Sequence, residues 1–214
     1  MTGEHERVMD MRRFCRAWIV VVITILSLQQ AGANLLVNGS FENVTAGQPD
    51  GWWKIENDNS GAWLWENNSN ARSGTNLVAI GFWSTGGNAY WGQTVTAVSQ
   101  GQEFDFSVYT KTEPGFDGTI YLKTEFKDDL GNFLWTNQSA GVSGENTTFT
   151  QLLIHTDPAP AGTTQANFLI YVEGTVNSAM FDDANVDPVA VPEPAAIGMF
   201  GAGLLALIRF RRRR

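Results

Sequence analysis

No stretch of residues 34–187 holds a 3.6-residue apolar period for three turns. Apolar and polar residues instead alternate in short runs rich in Thr, Val, Phe and Tyr, each closed by Gly, Asn, Asp or Pro. A period of two sends alternate side chains to opposite faces, so such runs fold as strands with one buried face. The pattern predicts strands at 35–37, 63–66, 76–82, 89–95, 103–110, 119–127, 133–136, 148–155, 166–173 and 180–186. Asp128-Asp-Leu-Gly-Asn132 reads as a hairpin turn, with Gly131 free to take a positive φ. The segments 57–70 and 141–148 read as polar loops, and Asp157-Pro-Ala-Pro160 as a turn or sheet crossing. Many regular strands and no helix predict an all-β fold, a two-sheet antiparallel β-sandwich.

The same segment carries five basic residues against eighteen acidic ones, a formal charge of −13, while the whole chain stands at −8. The difference sits at the two ends, where the other basic residues cluster. So acidic a surface repels nucleic acid and anionic lipid, which argues against both as partners. Neutral ligands and cations are left.

The two ends read as processing signals. Arg12, Arg13 and Arg16 precede an apolar run over 17–28, and Ala31-Gly32-Ala33 follows in the A-x-A form of a cleavage site. Residues 1–33 therefore read as a signal peptide, with Met9 and Met11 as alternative starts. The only cysteine, Cys15, lies in this leader, so the expected mature protein has no disulfide, thiol nucleophile or thiolate metal site. At the other end, Val191-Pro192-Glu193-Pro194 leads into an apolar run over 195–208 and a basic tail over 209–214. The run is short beside the ~20 residues of a typical span. Its Gly198, Gly201, Ala202 and Gly203, with the terminal arginines, still favour insertion with the tail on the cytoplasmic side. In order and spacing, residues 189–214 resemble a PEP-CTERM sorting signal, the tripartite tail read by an exosortase in Gram-negative bacteria. The resemblance implies a single transmembrane sorting helix that sits transiently in the inner membrane. It also implies a sorting motif at Pro192, Glu193 and Pro194, and export to the cell surface or extracellular matrix.

A second resemblance covers residues 34–188. Asn34-Leu-Leu-Val-Asn-Gly-Ser-Phe-Glu42 opens this segment. Gly51-Trp52, Ser73-Gly74, Gln93-Thr-Val95, Gly101-Gln-Glu-Phe-Asp-Phe-Ser107 and Met180-Phe-Asp-Asp-Ala-Asn-Val186 follow in order. The set is similar to carbohydrate-binding modules with a galactose-binding-like jelly-roll fold. That likeness implies a polysaccharide partner and a structural calcium tying the first strand to the last. Its ligands would be Glu42 and Asp182 or Asp183, with backbone carbonyls. Calcium takes six to eight hard oxygen ligands, and adjacent carboxylates beside a third acid repel unless a cation lies among them.

Seven tryptophans fall in this segment: Trp52, Trp53, Trp63, Trp65, Trp83, Trp91 and Trp135. The C–H face of a sugar ring packs flat on an indole, and its hydroxyls then need nearby amides or carboxylates. Trp63 and Trp65 alternate within an Asn-rich stretch and share one face of a strand. Trp83, Tyr90 and Trp91 flank a Gly-Gly-Asn segment. These five are the predicted glycan-facing aromatics, while Trp52, Phe104, Phe106, Phe126 and Phe168 are predicted core.

Signs of catalysis are few. The segment holds one histidine, His155, in an alternating run, and no Gly-x-Ser-x-Gly elbow or phosphate-cradling glycine loop. Asn-x-Ser/Thr sequons at Asn38, Asn43, Asn67, Asn137 and Asn146 carry no weight in a bacterial setting. The expectation is a non-catalytic, calcium-stabilised sandwich that binds carbohydrate in an exopolysaccharide or biofilm matrix. The alternatives are a structural matrix protein making protein–protein contacts and, more remotely, a glycoside hydrolase.

Overall fold

In the computed structural model, residues 34–84 and 86–189 are described. The leader and the sorting helix expected at 195–208 lie outside them. No helix occurs among the described residues. The strands are β1 (Val44–Thr45), β2 (Gln48–Pro49), β3 (Trp53–Asn57), β4 (Ser60–Trp65), β5 (Leu77–Phe82) and β6 (Gly87–Thr96). They continue as β7 (Phe104–Thr112), β8 (Asp117–Lys127), β9 (Phe133–Gln138), β10 (Val142–Ser143), β11 (Thr150–His155) and β12 (Gln165–Pro188).

Apart from the small β1–β2 ribbon, the pairings build two antiparallel sheets. The front sheet runs β3–β6–β12–β8–β9, with β10 on the same edge of β8 as β9. The back sheet runs β4–β5–β12–β7–β11. One strand serves both. β12 is 24 residues long; Gln165–Gly174 pairs with β6, while Asn177–Phe181 pairs with β5 in the other sheet. The crossing falls where the register slips between Gly174 and Val176, beside Asn177 at φ 63°. The two strands expected at 166–173 and 180–186 are thus halves of a single one.

Alternation fills the core. From β12, Phe168, Ile170, Val172, Ala179 and Phe181 all point inward at 0% exposure. Phe104 and Phe106 of β7 meet Phe168 edge-on, with centroids 5.4 Å apart in each pair. Phe104, Phe106, Phe126 and Phe168 are fully buried, as the sequence predicts, and Trp52 packs on Phe41 at 5.0 Å. An apolar side chain of this size contributes ~1.5–3 kcal/mol on burial.

Three local expectations change. Residues 35–37 form no strand: the side-chain amide of Gln93 takes the role of a neighbouring strand, accepting from Val37 N at 2.6 Å and donating to Val37 O at 2.9 Å. The strand predicted at 63–66 begins earlier, at Ser60, and shortens the loop read over 57–70, because Asp58 and Asn59 both take positive φ (33° and 49°) and turn the chain directly from β3 to β4. Within 141–148, β10 forms a two-residue edge. The Asp128 turn is as expected. Its carboxylate accepts from Leu130 N at 3.0 Å and Asn132 N at 2.8 Å, with Gly131 at φ 81°. Hydrogen bonds led by the Asn132 side chain hold the Asp128 carboxyl below its ordinary value.

Candidate functional site

The outer face of the front sheet is ordered in rows that run across the strands. Buried Ile120, Leu122 and Phe126 on β8, Phe168, Ile170 and Val172 on β12, and Ala89 and Trp91 on β6 set the phase. Their intervening neighbours must face outward. Register then aligns Tyr90, Tyr171 and Tyr121 on three adjacent strands. Their rings form a continuous band, with Tyr90–Tyr171 centroids 5.9 Å apart and Tyr121–Tyr171 6.1 Å. Trp53 on β3 extends the band, meeting Tyr90 edge-on at 5.8 Å. Four strands place the ends of such a band ~14 Å apart, at ~4.8 Å per gap. All four aromatic side chains are half-buried.

Trp53 lies over Gly92. A Cβ at Gly92 would come within 2.6 Å of the indole and 2.8 Å of Leu169 Cδ2, so the glycine serves close approach. Polar rows flank the aromatic band. On one side Asn57, Asn88, Glu173, Thr119 and Ser143 are cross-strand neighbours. Asn57 Nδ2 donates to Asn88 Oδ1 at 2.9 Å, and Thr119 and Ser143 hydroxyls meet at 2.8 Å. An open hollow of about 390 Å³ follows, lined by Gly87, Asn88, Asp117, Glu173 and Gly174. On the other side, Thr94 Oγ1 donates to Asn167 Oδ1 at 2.9 Å, and Asn167 Nδ2 to Glu125 Oε2 at 3.4 Å.

Two of the tyrosines, Tyr171 and Tyr90, are held neutral. Burial, then the Glu173 carboxylate that accepts its hydroxyl at 2.9 Å, pushes Tyr171 up to about 12. Burial and the charge of Glu125 raise Tyr90 as well. Such a surface offers apolar ring faces with hydroxyl, amide and carboxylate groups beside them. Chemically, it suits a flat, polyhydroxylated ligand.

Of the five aromatics predicted to face a ligand, Tyr90 alone belongs to this band. Trp91 is a correction: it is 1% exposed, and its indole N–H donates into the core to Ala79 O at 3.3 Å. Adjacent strand residues point opposite ways, so Tyr90 outside requires Trp91 inside. Trp63 and Trp65 do share a face, with centroids 6.2 Å apart, but it is the outer face of the back sheet. Trp83, 64% exposed, stands just beyond β5. Sequence reasoning left out Trp53 as a leading candidate and missed Tyr121 and Tyr171 entirely.

The three acids expected to bind calcium all reach the segment 72–76. Glu42 Oε1 accepts from Thr75 N at 2.9 Å and Asn76 N at 2.8 Å. Asp182 Oδ2 accepts from Arg72 N at 2.8 Å and Ser73 N at 3.0 Å. Asp183 turns away to pair with the Arg72 guanidinium and accepts from Ser73 Oγ at 2.6 Å. Gly74, at φ 58°, leaves room for the Glu42 carboxylate, which a Cβ there would strike. Among the described residues no three acidic, histidine or cysteine side chains gather to hold a metal. Glu42 and Asp182 are nonetheless hard donors without a cationic partner. Asp182 is 0% exposed, and burial, joined by the charge of Asp183, raises it to about 6. Asp183 is committed to Arg72, which leaves Glu42 and Asp182 as the expected ligands still free of an ion pair among the described residues.

His155 faces solvent on β11, its Nδ1 2.8 Å from Asp105 Oδ1 and its Nε2 3.2 Å from Glu103 Oε2. Both ring nitrogens meet carboxylates, and neither meets a serine hydroxyl. The Asp105 contact leads in holding His155 above its ordinary value.

Comparison with known proteins bears on the C-terminal tail and on the fold. Residues 190–214 match the PEP-CTERM protein-sorting motif, which indicates an exported protein sorted to the cell envelope or surface and processed by an exosortase. No curated protein matches the chain. Solved structures share the fold. A tailspike protein 4 active domain of bacteriophage CBA120 is 19% identical, with TM-score 0.56, over 73% of this chain and 21% of its own. The chain thus spans about a fifth of that protein. The CBM22-1 xylan-binding domain of Paenibacillus barcinonensis Xyn10C is 18% identical, with TM-score 0.52, over 76% of this chain and 98% of its own. The module TmCBM61, solved with β-1,4-galactotriose, is 21% identical, with TM-score 0.50, over 72% and 97%. The described part of the chain is therefore a β-sandwich of the kind found in carbohydrate-binding modules.

Proposed function

We propose that this is an exported, non-catalytic carbohydrate-binding protein whose front sheet holds a polysaccharide along the band Trp53–Tyr90–Tyr171–Tyr121. The band carries the reading: three tyrosines in register on adjacent strands, extended diagonally by Trp53 from β3, with hydrogen-bonding rows on both sides. Whole modules of the same fold are solved as xylan- and galactotriose-binding domains, which supports the ligand class. Tyr171, Tyr90 and Trp53 supply the aromatic surface, and Asn88 and Glu173 the polar partners for ring hydroxyls. The setting that fits the sorting motif is the surface or exopolysaccharide matrix of a Gram-negative bacterium. A calcium ion held by Glu42 and Asp182 would neutralise the buried Asp182 and tie the opening segment to the end of β12. Its role is structural.

Native affinity electrophoresis in gels containing xylan or β-1,4-galactan tests the reading. Wild-type protein should be retarded, and Tyr171→Ala should weaken retention by about 30-fold, the ~2 kcal/mol typical of a central aromatic anchor. Equal mobility of wild type and Tyr171→Ala in every gel would overturn it. A structural role through protein contacts finds one supporting feature, the β8–β9 hairpin, where Leu130, Phe133 and Trp135 are 81%, 57% and 52% exposed.

A further inference from the structure

The back sheet carries aromatics that the front-face reading does not use. On β4, Ala62 and Leu64 point into the core, so Trp63 and Trp65 face outward. They lie over a small apolar cluster of Leu77, Ala79 and Met180, apart from the main core. Gly61 and Gly81 are direct cross-strand partners beside them. A Cβ on Gly81 would fall 2.5 Å from Trp63 Cη2, and one on Gly61 would fall 2.9 Å from Trp83 Cη2 and 3.0 Å from Trp63 Cζ3. Neither glycine has a positive φ, so their use here is clearance. They form a floor on which two indoles rest close to the backbone.

Trp83 is 64% exposed, and its backbone N–H donates to Asn59 O at 3.3 Å. A large indole left this open is not there to stabilise the core. Trp65, Trp63 and Trp83 make a line along edge strand β4, with the Ser178 hydroxyl against the Gly81 floor. Trp83 is open and Trp63 and Trp65 are half-buried, and all three lie on a segment with formal charge −13. That charge disfavours a polyanion and leaves the floor open to an uncharged ligand.

We propose that Trp63, Trp65 and Trp83 form a second glycan platform, so that one domain holds two neutral polysaccharide chains, one on each outer face, and cross-links them. This rests on the front-face reading and extends it from binding to bridging. Two sites raise apparent affinity for a repeating polymer through effective concentration, and only a two-sited protein can join separate chains.

The test separates retention, which one site suffices to give, from clustering, which needs two. The purified protein is run in xylan and β-1,4-galactan gels and mixed with the same soluble polysaccharides under dynamic light scattering. Wild type should be retained and should enlarge the scattering particles. Trp83→Ala, a surface change, should lower clustering at least tenfold while retention persists, and Trp83→Phe should restore clustering. Tyr171→Ala should lose clustering and keep weak retention through the back face. Clustering by Trp83→Ala equal to wild type would overturn the second platform and leave the front-face reading standing. So would complete loss of retention in Tyr171→Ala. Absence of wild-type retention in every gel would overturn both.

Discussion

The two outer faces of the sandwich share the strand β12, yet one is built across the strands and the other along an edge. In front, tyrosines from three strands align by register and form a band that no single strand contains. At the back, Trp63 and Trp65 come from one strand and Trp83 from just past its partner, with Trp63 and Trp83 resting on Gly61 and Gly81. Elsewhere the back face carries charged groups, with Arg72 on the Tyr109 ring at 3.4 Å and His155 between Glu103 and Asp105. One alternating core therefore supports two unlike surfaces. What differs is only the residue chosen at each outward position.

The largest perturbation should erase both surfaces together. Phe168→Ala removes a 0%-exposed ring shared by the inner faces of both sheets and should cost about 3–5 kcal/mol. Denaturant unfolding checks this, and a loss under 1 kcal/mol would show that the sheets do not depend on that contact. Calcium comes next. If Glu42 and Asp182 hold the ion, saturation at about a hundred times Kd adds roughly 2.7 kcal/mol. Tm should then fall with EDTA and recover with calcium, and Glu42→Gln should abolish that response; an unchanged Tm after verified metal removal would dismiss the ion.

A smaller change should separate the faces. Gly92→Ala crowds Trp53 and should cost about 1–3 kcal/mol by overpacking. It should also weaken front-face retention while leaving the Trp83 platform intact; retention like wild type would remove Trp53 from the site. The smallest effect is electrostatic. Because Asp105 raises the folded-state value of His155 above 6.5, the pair stabilises the fold below pH 6.5. That gain fades as pH climbs through the raised value. The pair is exposed, so its contribution stays within ~0.2–1 kcal/mol. NMR titration of the His155 ring should show a midpoint above 6.5 that drops in Asp105→Asn; a midpoint unmoved by that change would break the assignment.

Much of the fold was legible because alternation is local. The runs around Phe104, Phe106, Phe126 and Phe168 carry their inward phase in their own residues, and the Asp128 turn carries its glycine. The 35–37 segment misled because its apolar residues bond to a side chain, Gln93, instead of a ladder. The continuity of β12 was hidden by Gly174 and Asn177, which read as a break and are a crossing. The site was harder still. Tyr90 and Tyr171 lie 81 positions apart in the chain, and only the register between β6 and β12 makes them neighbours. Tryptophan-rich stretches drew attention because they are dense in sequence, while the front band places one aromatic per strand. Trp91 was misassigned because its neighbour Tyr90 holds the outward place.

The front-face claim is tested most directly by following backbone amide shifts in NMR while β-1,4-galactotriose or a xylo-oligosaccharide is titrated in. Saturable shifts concentrated at Trp53, Asn88, Tyr90, Tyr121, Tyr171 and Glu173 are expected. No saturable shift with either sugar, or shifts confined to residues away from this band, would contradict glycan binding on the front sheet.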